Sequence, residues 1–559
     1  MTDTATTNAN PIAFPRFDPS ELAALKPLAA SVTFEDGQIV FRAGDADLDL
    51  FVVESGGIEI INPIDENRHI VTHTQGQFAG DIDLLTRRPV IVTGIARGRT
   101  KLMRIPGSRL RELLTKVPLL SEKLLIAIQE RRRLLTSAGV LGLRVVGPGK
   151  CRDTMVVREF LFKNFVPFTW YDSVSDQGKK LMSGWGSPKK SPVIECAGTL
   201  LFNPGLRELA QCAGVWRHCP ADSVDLAVIG AGPAGMTAAV YAASEGLSTV
   251  VLDRLGPGGQ AGGSSKIENF IGFPSGLSGA ELAMRSVLQM LKFGAKMVAP
   301  VVVERIEPPD SPNDFHILQL DCGTRLRARA VLIAAGVRWR RLDAEGADRF
   351  ESSGIHYACT TVEAMLYDQQ DVAVVGAGNS AGQAAMFLAE CCRDRRVHLL
   401  VRRRLGPGMS SYLVNRIRAA ANITVHEGVE IASVQGKQRL ESVTLRAFNP
   451  EIDMPMIDPS PEVLPISAAF VFIGADPGCS WLPESLARDK LGYILTGIDA
   501  LRSGRWPLKD REPCPLETTI PGILAAGDIR AGSTKRVGFA VGDGSLAVTC
   551  VHKLTAIRN

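Results

Sequence analysis

The stretch Asp225-Leu-Ala-Val-Ile-Gly230-Ala-Gly232-Pro233-Ala234-Gly235 decides how this chain is read. A short apolar run ends in closely spaced glycines, and Met236 to Glu245 then has helical composition. The pattern is a buried strand, a tight turn and a helix. That geometry aims backbone N–H groups and the positive helix end at a pyrophosphate. The pattern returns at Asp371-Val-Ala-Val-Val-Gly376-Ala-Gly378-Asn379-Ser380-Ala381, and a third apolar run, Gly522-Ile-Leu-Ala-Ala-Gly527-Asp528, ends on a Gly-Asp pair. A lone glycine turn often serves only to let a helix pack closely. Two in one chain imply two dinucleotides, with electron transfer from one to the other.

The residues that follow each turn distinguish the two. Ser248 to Leu252 reads as a strand ending at Asp253, a carboxylate at the spacing that meets a ribose hydroxyl. After the second turn, Val397-His-Leu-Leu-Val401 ends instead in Arg402, Arg403 and Arg404. A carboxylate would repel a ribose 2′-phosphate, whereas guanidinium groups bind it through paired, charge-assisted hydrogen bonds. The first site therefore reads as binding FAD and the second as preferring NADPH. The bland alternative for the arginines is a solvated basic strand end.

From about residue 222 to 559 the chain resembles the low-molecular-weight thioredoxin reductases, class II of the pyridine nucleotide-disulfide oxidoreductases. Beyond the glycine turns, the resemblance lies in Pro257-Gly-Gly-Gln-Ala-Gly262, Ile267-Glu-Asn269-Phe-Ile-Gly-Phe-Pro274, Ala526-Gly-Asp528, Lys535-Arg536 and Ala540-Val-Gly-Asp-Gly544. It implies that Gly259, Gln260 and Asn269 line a flavin and that Asp528 holds its ribityl chain. Lys535, Arg536 and Val537 would lie by the isoalloxazine edge, and a helix starting after Gly542 would direct its positive end at the ring. The implied activity is that of a FAD-dependent, NADPH-oxidising reductase, homodimeric, passing electrons to a thioredoxin-like disulfide, a small disulfide or a quinone.

The chain departs from that family at one place. Where its members carry Cys-x-x-Cys-Asp, this chain has Cys359-Thr-Thr-Val362-Glu363. Cys359 and Glu363 are the catalytic candidates, but no internal disulfide can form between positions 359 and 362. Cys359 is either a small buried hydrophobe or a thiol for mixed-disulfide chemistry. A non-catalytic scaffold that keeps FAD as a structural core is the alternative function.

Length suggests about three or four domains at ~150 residues each. Residues 1–19 read as a disordered tail. Residues 20–140, short β-like runs and then a helical segment from Arg109 to Leu135, resemble a cyclic-nucleotide-binding β-roll. Its phosphate cassette aligns with Gly76-Gln-Phe-Ala-Gly80-Asp81-Ile-Asp-Leu-Leu85 and Arg87-Arg-Pro89-Val90. Asp81 stands where the family's ribose-binding acid falls and Val90 where its phosphate-binding arginine falls, with Arg87 or Arg88 the only nearby replacements. The roll either binds a cyclic nucleotide or serves a structural or docking role. Residues 142–218 read as βαβαββα and resemble a thioredoxin or glutaredoxin fold. Pro192 falls at that fold's cis-proline and Cys151 near a helix N-terminus. This unit is either a degenerate structural module or a site of monothiol chemistry. The flavoprotein then comprises an FAD domain in two parts, 222–340 and 466–559, around an inserted NADPH domain, 341–465. The expected fold class is thus a multidomain chain: β-roll, α/β thioredoxin-like unit, and a Rossmann-like flavoprotein with two dinucleotide-binding domains.

The eleven cysteines include no CxxC, and read as unpaired thiols in a reducing, cytoplasmic setting. No stretch approaches the ~20 apolar residues of a membrane span. A net charge of +4 on 559 residues argues for neither a nucleic-acid nor a membrane partner, and no metal-ligand spacing is present.

Overall fold

The computed structural model describes residues 10–558 apart from 47, 64–66, 81, 139–141, 150, 197, 220–222, 310–313, 352, 438, 450, 452–453, 457–461 and 480. The cassette acid Asp81 and residues 1–9 of the expected tail thus lie outside the described residues. The rest of that tail is corrected. Phe14 and Phe17 are buried in the β-roll core, Phe17 stacks on Phe78, and Gln77 Nε2 donates to Phe14 O at 2.9 Å. Two aromatic rings with a surface to cover outweigh the polar composition around them.

In the β-roll, the long strands Leu50–Asn62 and Thr93–Ile105 pair antiparallel at the centre, with Arg68–Thr74 and Ala30–Phe34 outside them. The helical segment expected from Arg109 to Leu135 is broken into Leu110–Lys116 and α1, Pro118–Ala138. Pro118 lacks an N–H and disfavours the helical conformation at Val117, so the chain restarts there.

The middle unit orders its strands Thr199–Phe202, Val193–Cys196, Leu143–Gly147, Phe168–Asp172, with only the last pair parallel. Helix α2, Arg152–Lys163, makes the crossover between the parallel strands, and the Ser191–Pro192 bond is cis. One expectation fails here. Cys196 and Cys212 form a disulfide with Cα atoms 6.2 Å apart, so the thiols are not all unpaired. The partners come from a strand and a helix that the sequence leaves 16 residues apart, a proximity only the tertiary fold creates.

The remaining residues build two sheets with parallel centres, the first extended by the antiparallel strands His316–Leu320 and Val303–Glu307, and a smaller antiparallel sheet of Val429–Gln435, Ser442–Asn449 and Glu462–Pro465. In the first, Lys296–Val298, Thr249–Leu252, Val224–Ile229 and Arg325–Ile333 run side by side, and Ile523–Ala525 joins the far half of Arg325–Ile333. Helix α3, Pro233–Ser244, and helix α4, Gly279–Phe293, belong to this domain. In the second sheet, Ile355–His356, Ala468–Val471, Val372–Val375, Val397–Val401 and Ile423–Glu427 are all parallel. Helix α5, Thr361–Leu366, precedes its central strand and α6, Asn379–Cys391, follows it. Strands buried on both faces need continuous apolar runs, which is why these read so clearly.

The expected boundary between residues 465 and 466 is corrected, because Ala468–Val471 pairs with Val372–Val375 and belongs to the inserted domain. The two crossings lie together: Arg338–Trp339 pairs antiparallel with Ala475–Asp476. The final helix, α7, is also longer than expected, running Val537–Arg558, so its N-terminus lies at Val537 and Gly542 is internal. Of the glycines there, Gly544 serves close packing. A Cβ at Gly544 would lie 2.3 Å from Ala234 O, where α7 crosses α3.

Candidate nucleotide and redox site

The first glycine turn is held by contacts that leave no room for side chains. Gly230 has φ +107°, and a Cβ there would lie 2.4 Å from Ala334 O. A Cβ at Gly235 would lie 2.0 Å from Gly230 O, so α3 presses directly on the turn that precedes it. Gly232 differs: the nearest atom to its missing Cβ is Gly259 Cα at 3.9 Å. Pro233 occupies the first helical turn, where its missing N–H costs nothing, and Ala234 packs beneath. The turn therefore presents an open face at the N-terminus of α3.

Asp253 stands at the end of the adjacent strand, as expected, but its carboxylate also pins the turn. Oδ2 accepts from Ala231 N, and Oδ1 from Leu255 N and Gly256 N, each at 2.8 Å. Carboxylate oxygens retain further lone pairs for a ribose hydroxyl. Gln260 Nε2 donates to Val337 O, tying the Gly259 loop to the segment that leads out of the first sheet, while Asn269 is exposed.

The second turn repeats the plan. Gly376 has φ +141°, with a missing Cβ 2.4 Å from Phe472 O, whereas Gly378 has only Gly408 O at 4.0 Å. Asn379 Oδ1 accepts from Ser410 N at 2.7 Å, Ser380 is exposed beside it in the first turn of α6, and Ala381 is buried. Arg402, Arg403 and Arg404 are exposed at the end of the neighbouring strand, with the Arg402 guanidinium 4.8 Å from the Phe448 ring centre.

At the third motif, a residue given no role by sequence reasoning organises the turn. Asp543 accepts from Gly527 N at 3.0 Å and from Arg530 Nε and Nη2 at 3.0 and 3.1 Å. Asp528 beside it is half-buried, and burial raises its pKa against the pull of Lys535. The Lys535 ammonium sits 4.0 Å from the Tyr493 ring centre, Arg536 is exposed, and Val537 opens α7. The N-terminus of α7 is thus at Val537, next to Lys535 and Arg536, while Asp543 within the helix makes the contact to the Gly-Asp turn.

The Cys359 loop joins the two domains: Cys359 bridges Ser264 in a parallel pairing. Its side chain, 4 % exposed, packs with Ala364 and Tyr367 in the core of the inserted domain, and burial pushes the thiol well above its usual pKa. Glu363 is turned toward its own helix start, accepting from the Thr360 N–H at 2.8 Å and from the Thr360 hydroxyl. This is half of a capping box on α5. Burial raises the Glu363 pKa, and the Thr360 hydrogen bonds oppose it. The middle unit also faces this loop. Arg158 of α2 is buried, held down to about 10 by desolvation, with Glu363 and Asp172 partly offsetting the shift. Lys163, at the end of α2, donates to Gly259 O at 3.2 Å.

Among the described residues, no group of three or more His, Cys, Asp or Glu is placed to hold a metal ion, and no helix is long and apolar enough to cross a membrane.

Residues 224–544 match the family model for pyridine nucleotide-disulphide oxidoreductases, over half of the chain and spanning both glycine turns and the Gly-Asp motif. The chain belongs to that family. Residues 31–117 match the cyclic nucleotide-binding domain. Thioredoxin reductase of Mycoplasma genitalium is 30 % identical over 59 % of this chain and 94 % of its own length. The structure of Lactococcus lactis thioredoxin reductase in its FR conformation matches 60 % of this chain and 100 % of its own, with TM-score 0.51 and 25 % identity. That of T. acidophilum thioredoxin reductase shares the fold, with TM-score 0.52, 24 % identity and 60 % of this chain covered. In this thioredoxin reductase-like oxidoreductase, the β-roll stands in front of a flavoprotein of two dinucleotide-binding domains.

Both nucleotide sites pass a direct test of fit. The FAD and NAD(P)H that the family typically binds each need an approach face free of Cβ atoms. Gly232 and Gly378 supply one, while the flanking glycines are fixed by protein contact. The cassette passes no such test: Val90 is buried in the roll core, Arg88 Nη1 donates to Asn164 O at 2.6 Å, and Arg87 is exposed with φ +53°.

Proposed function

We propose that the chain is a FAD-dependent, NADPH-oxidising reductase of the thioredoxin-reductase type that works without a dithiol at positions 359 and 362. The observation that carries this reading is the pair of open glycine turns, one followed by Asp253 and the other by exposed Arg402 and Arg403. Bound FAD supplies a two-electron centre for hydride from NADPH. The protein's part is to place both dinucleotides by backbone N–H groups at the starts of α3 and α6, with Arg402 and Arg403 selecting the 2′-phosphate. Asp528 would meet the ribityl chain, and Gly259, Gln260, Asn269, Lys535, Arg536 and Val537 the ring and its edge. The acceptor is a thioredoxin-like disulfide, a small disulfide or a quinone, reached from a homodimer in the cytoplasm.

Cys359 takes the structural role in this reading. A thiol buried in the inserted domain's core with a raised pKa offers little thiolate. Glu363 caps α5. The middle unit is a degenerate thioredoxin-like module, supported by its strand order and by Pro192 opposite the Cys151 end of α2. That Cys359 and Glu363 are both spent on local structure also favours a second reading, a flavin-binding scaffold.

Anaerobic titration with NADPH tests the role of Cys359. Complete bleaching is expected at the same number of NADPH per flavin in the wild type and in Cys359→Ser. A wild type that consumes one equivalent more than the variant would mean that Cys359 is held in a disulfide whose reduction to two thiols takes the extra two electrons, and would overturn this assignment.

A further inference from the structure

The β-roll meets the flavin domain through a buried cluster. Ile82 and Ile128 from the roll pack with Met284 and Leu288 of α4, and Phe165 lies against them. Beside this cluster a chain of hydrogen bonds runs from the cassette to the first glycine turn. Arg88 Nη1 donates to Asn164 O at 2.6 Å. Asn164, the C-cap of α2 and only 2 % exposed, donates through Nδ2 to Leu255 O at 2.8 Å. Leu255 and Gly256 donate in turn to the Asp253 carboxylate that holds Ala231 N. The contact is tight, since a Cβ at Gly256 would lie 2.7 Å from Asn164 Nδ2. On the other side of the cassette, Arg217 Nη2 donates to Thr86 O and Arg87 O, both at 2.7 Å.

We propose that residues 82–90 of the cassette are an interdomain latch that fixes the flavin-site loop 253–259 through Asn164. Flavin retention then depends on how the roll is seated. The placement of the cassette's side chains supports a docking role over a cyclic-phosphate site. Val90 faces the roll core where a cation would be needed, and Arg88 is engaged with the middle unit. Asn164 is a positioning residue, since it acts on the turn only through Leu255, Gly256 and Asp253. The inference rests on the FAD reading of the first turn.

The test uses the full chain with Asn164→Ala, Arg88→Ala and, as control, Arg87→Asn, which tolerates the left-handed backbone at that position. Amide hydrogen exchange at Leu255 and Gly256 reports the latch without any ligand, and fluorescence of released flavin reports retention. Loss of one or two buried hydrogen bonds predicts exchange and flavin release about tenfold faster in Asn164→Ala. A smaller increase is expected in Arg88→Ala and none in Arg87→Asn. Unchanged exchange at residues 255 and 256 in Asn164→Ala would overturn the latch. If that variant fails to fold, Arg88→Ala decides by the same criterion. Faster exchange in a protein that never carries flavin would keep the latch and overturn the FAD reading alone. Saturable binding of cyclic AMP that is lost in Arg88→Ala would show the cassette to be a ligand site, and would overturn the proposal.

Discussion

Replacing Gly232 with alanine is expected to give a folded but colourless protein. The backbone at Gly232 is extended, with φ −77° and ψ −179°, which any residue adopts, and no protein atom lies within 3.8 Å of the added Cβ. The fold itself has no reason to object. A pyrophosphate seated on the start of α3 would have to move outward, at about the 1–3 kcal/mol of an overpacked contact, or roughly 10- to 100-fold in affinity. Alanine at Gly235 should behave differently, since its Cβ would meet Gly230 O at 2.0 Å and Val228 Cγ1 at 2.9 Å. That variant is expected to lose both flavin and thermal stability. The ratio of flavin to protein absorbance after gel filtration, with a melting curve of each apoprotein, separates the two. Full flavin content in Gly232→Ala would show that the dinucleotide does not lie on this turn.

The second large effect is expected at the strand end after the NADPH turn. In Arg402→Ala/Arg403→Ala, kcat/KM for NADPH should fall at least about a hundredfold, while the value for NADH changes little. Each charge-assisted hydrogen bond to a phosphate contributes about 1.5–3 kcal/mol, and exposure to solvent trims the sum. Both arginines are exposed and lie next to the carboxyl end of Val397–Val401, so their removal takes no buried side chain away, although it uncovers one face of the Phe448 ring. A parallel loss with both coenzymes would mean that the arginines position something other than the 2′-phosphate.

Much of the scaffold was legible because parallel strands buried on both faces leave continuous apolar runs. The strand Val397–Val401 falls on the residues expected, as do the strand–turn–helix units at Gly230 and Gly376. What escaped depends on contacts between distant segments. Ala468–Val471 reads as a generic apolar strand, and nothing local assigns it to the inserted sheet. The Gly538–Gly544 stretch looks like a helix breaker, yet α7 passes through it, and at Gly544 the close packing on Ala234 offsets glycine's helix cost of about 1 kcal/mol. The Cys196–Cys212 pairing likewise needs the fold to bring strand and helix together.

The candidate site was legible in its motifs and not in its orientation. The Cys359 segment could be aligned, but whether the thiol faces a flavin or a core is a tertiary fact, and here it packs with Ala364 and Tyr367. Asp543 lay within a recognised motif but had no role until its bonds to Gly527 and Arg530 were seen. Asn164 and Lys163 had no signal at all. They end an ordinary amphipathic helix, and their importance comes from the loop they touch.

The most direct test of the account is anaerobic stopped-flow absorbance of the flavin-loaded protein mixed first with NADPH and then, separately, with NADH. The account predicts rapid bleaching of the flavin band with NADPH, unchanged in Cys359→Ser, and much slower bleaching with NADH. Flavin that stays bound and stays yellow with both nucleotides would contradict it, and would leave the chain as a flavin-binding scaffold.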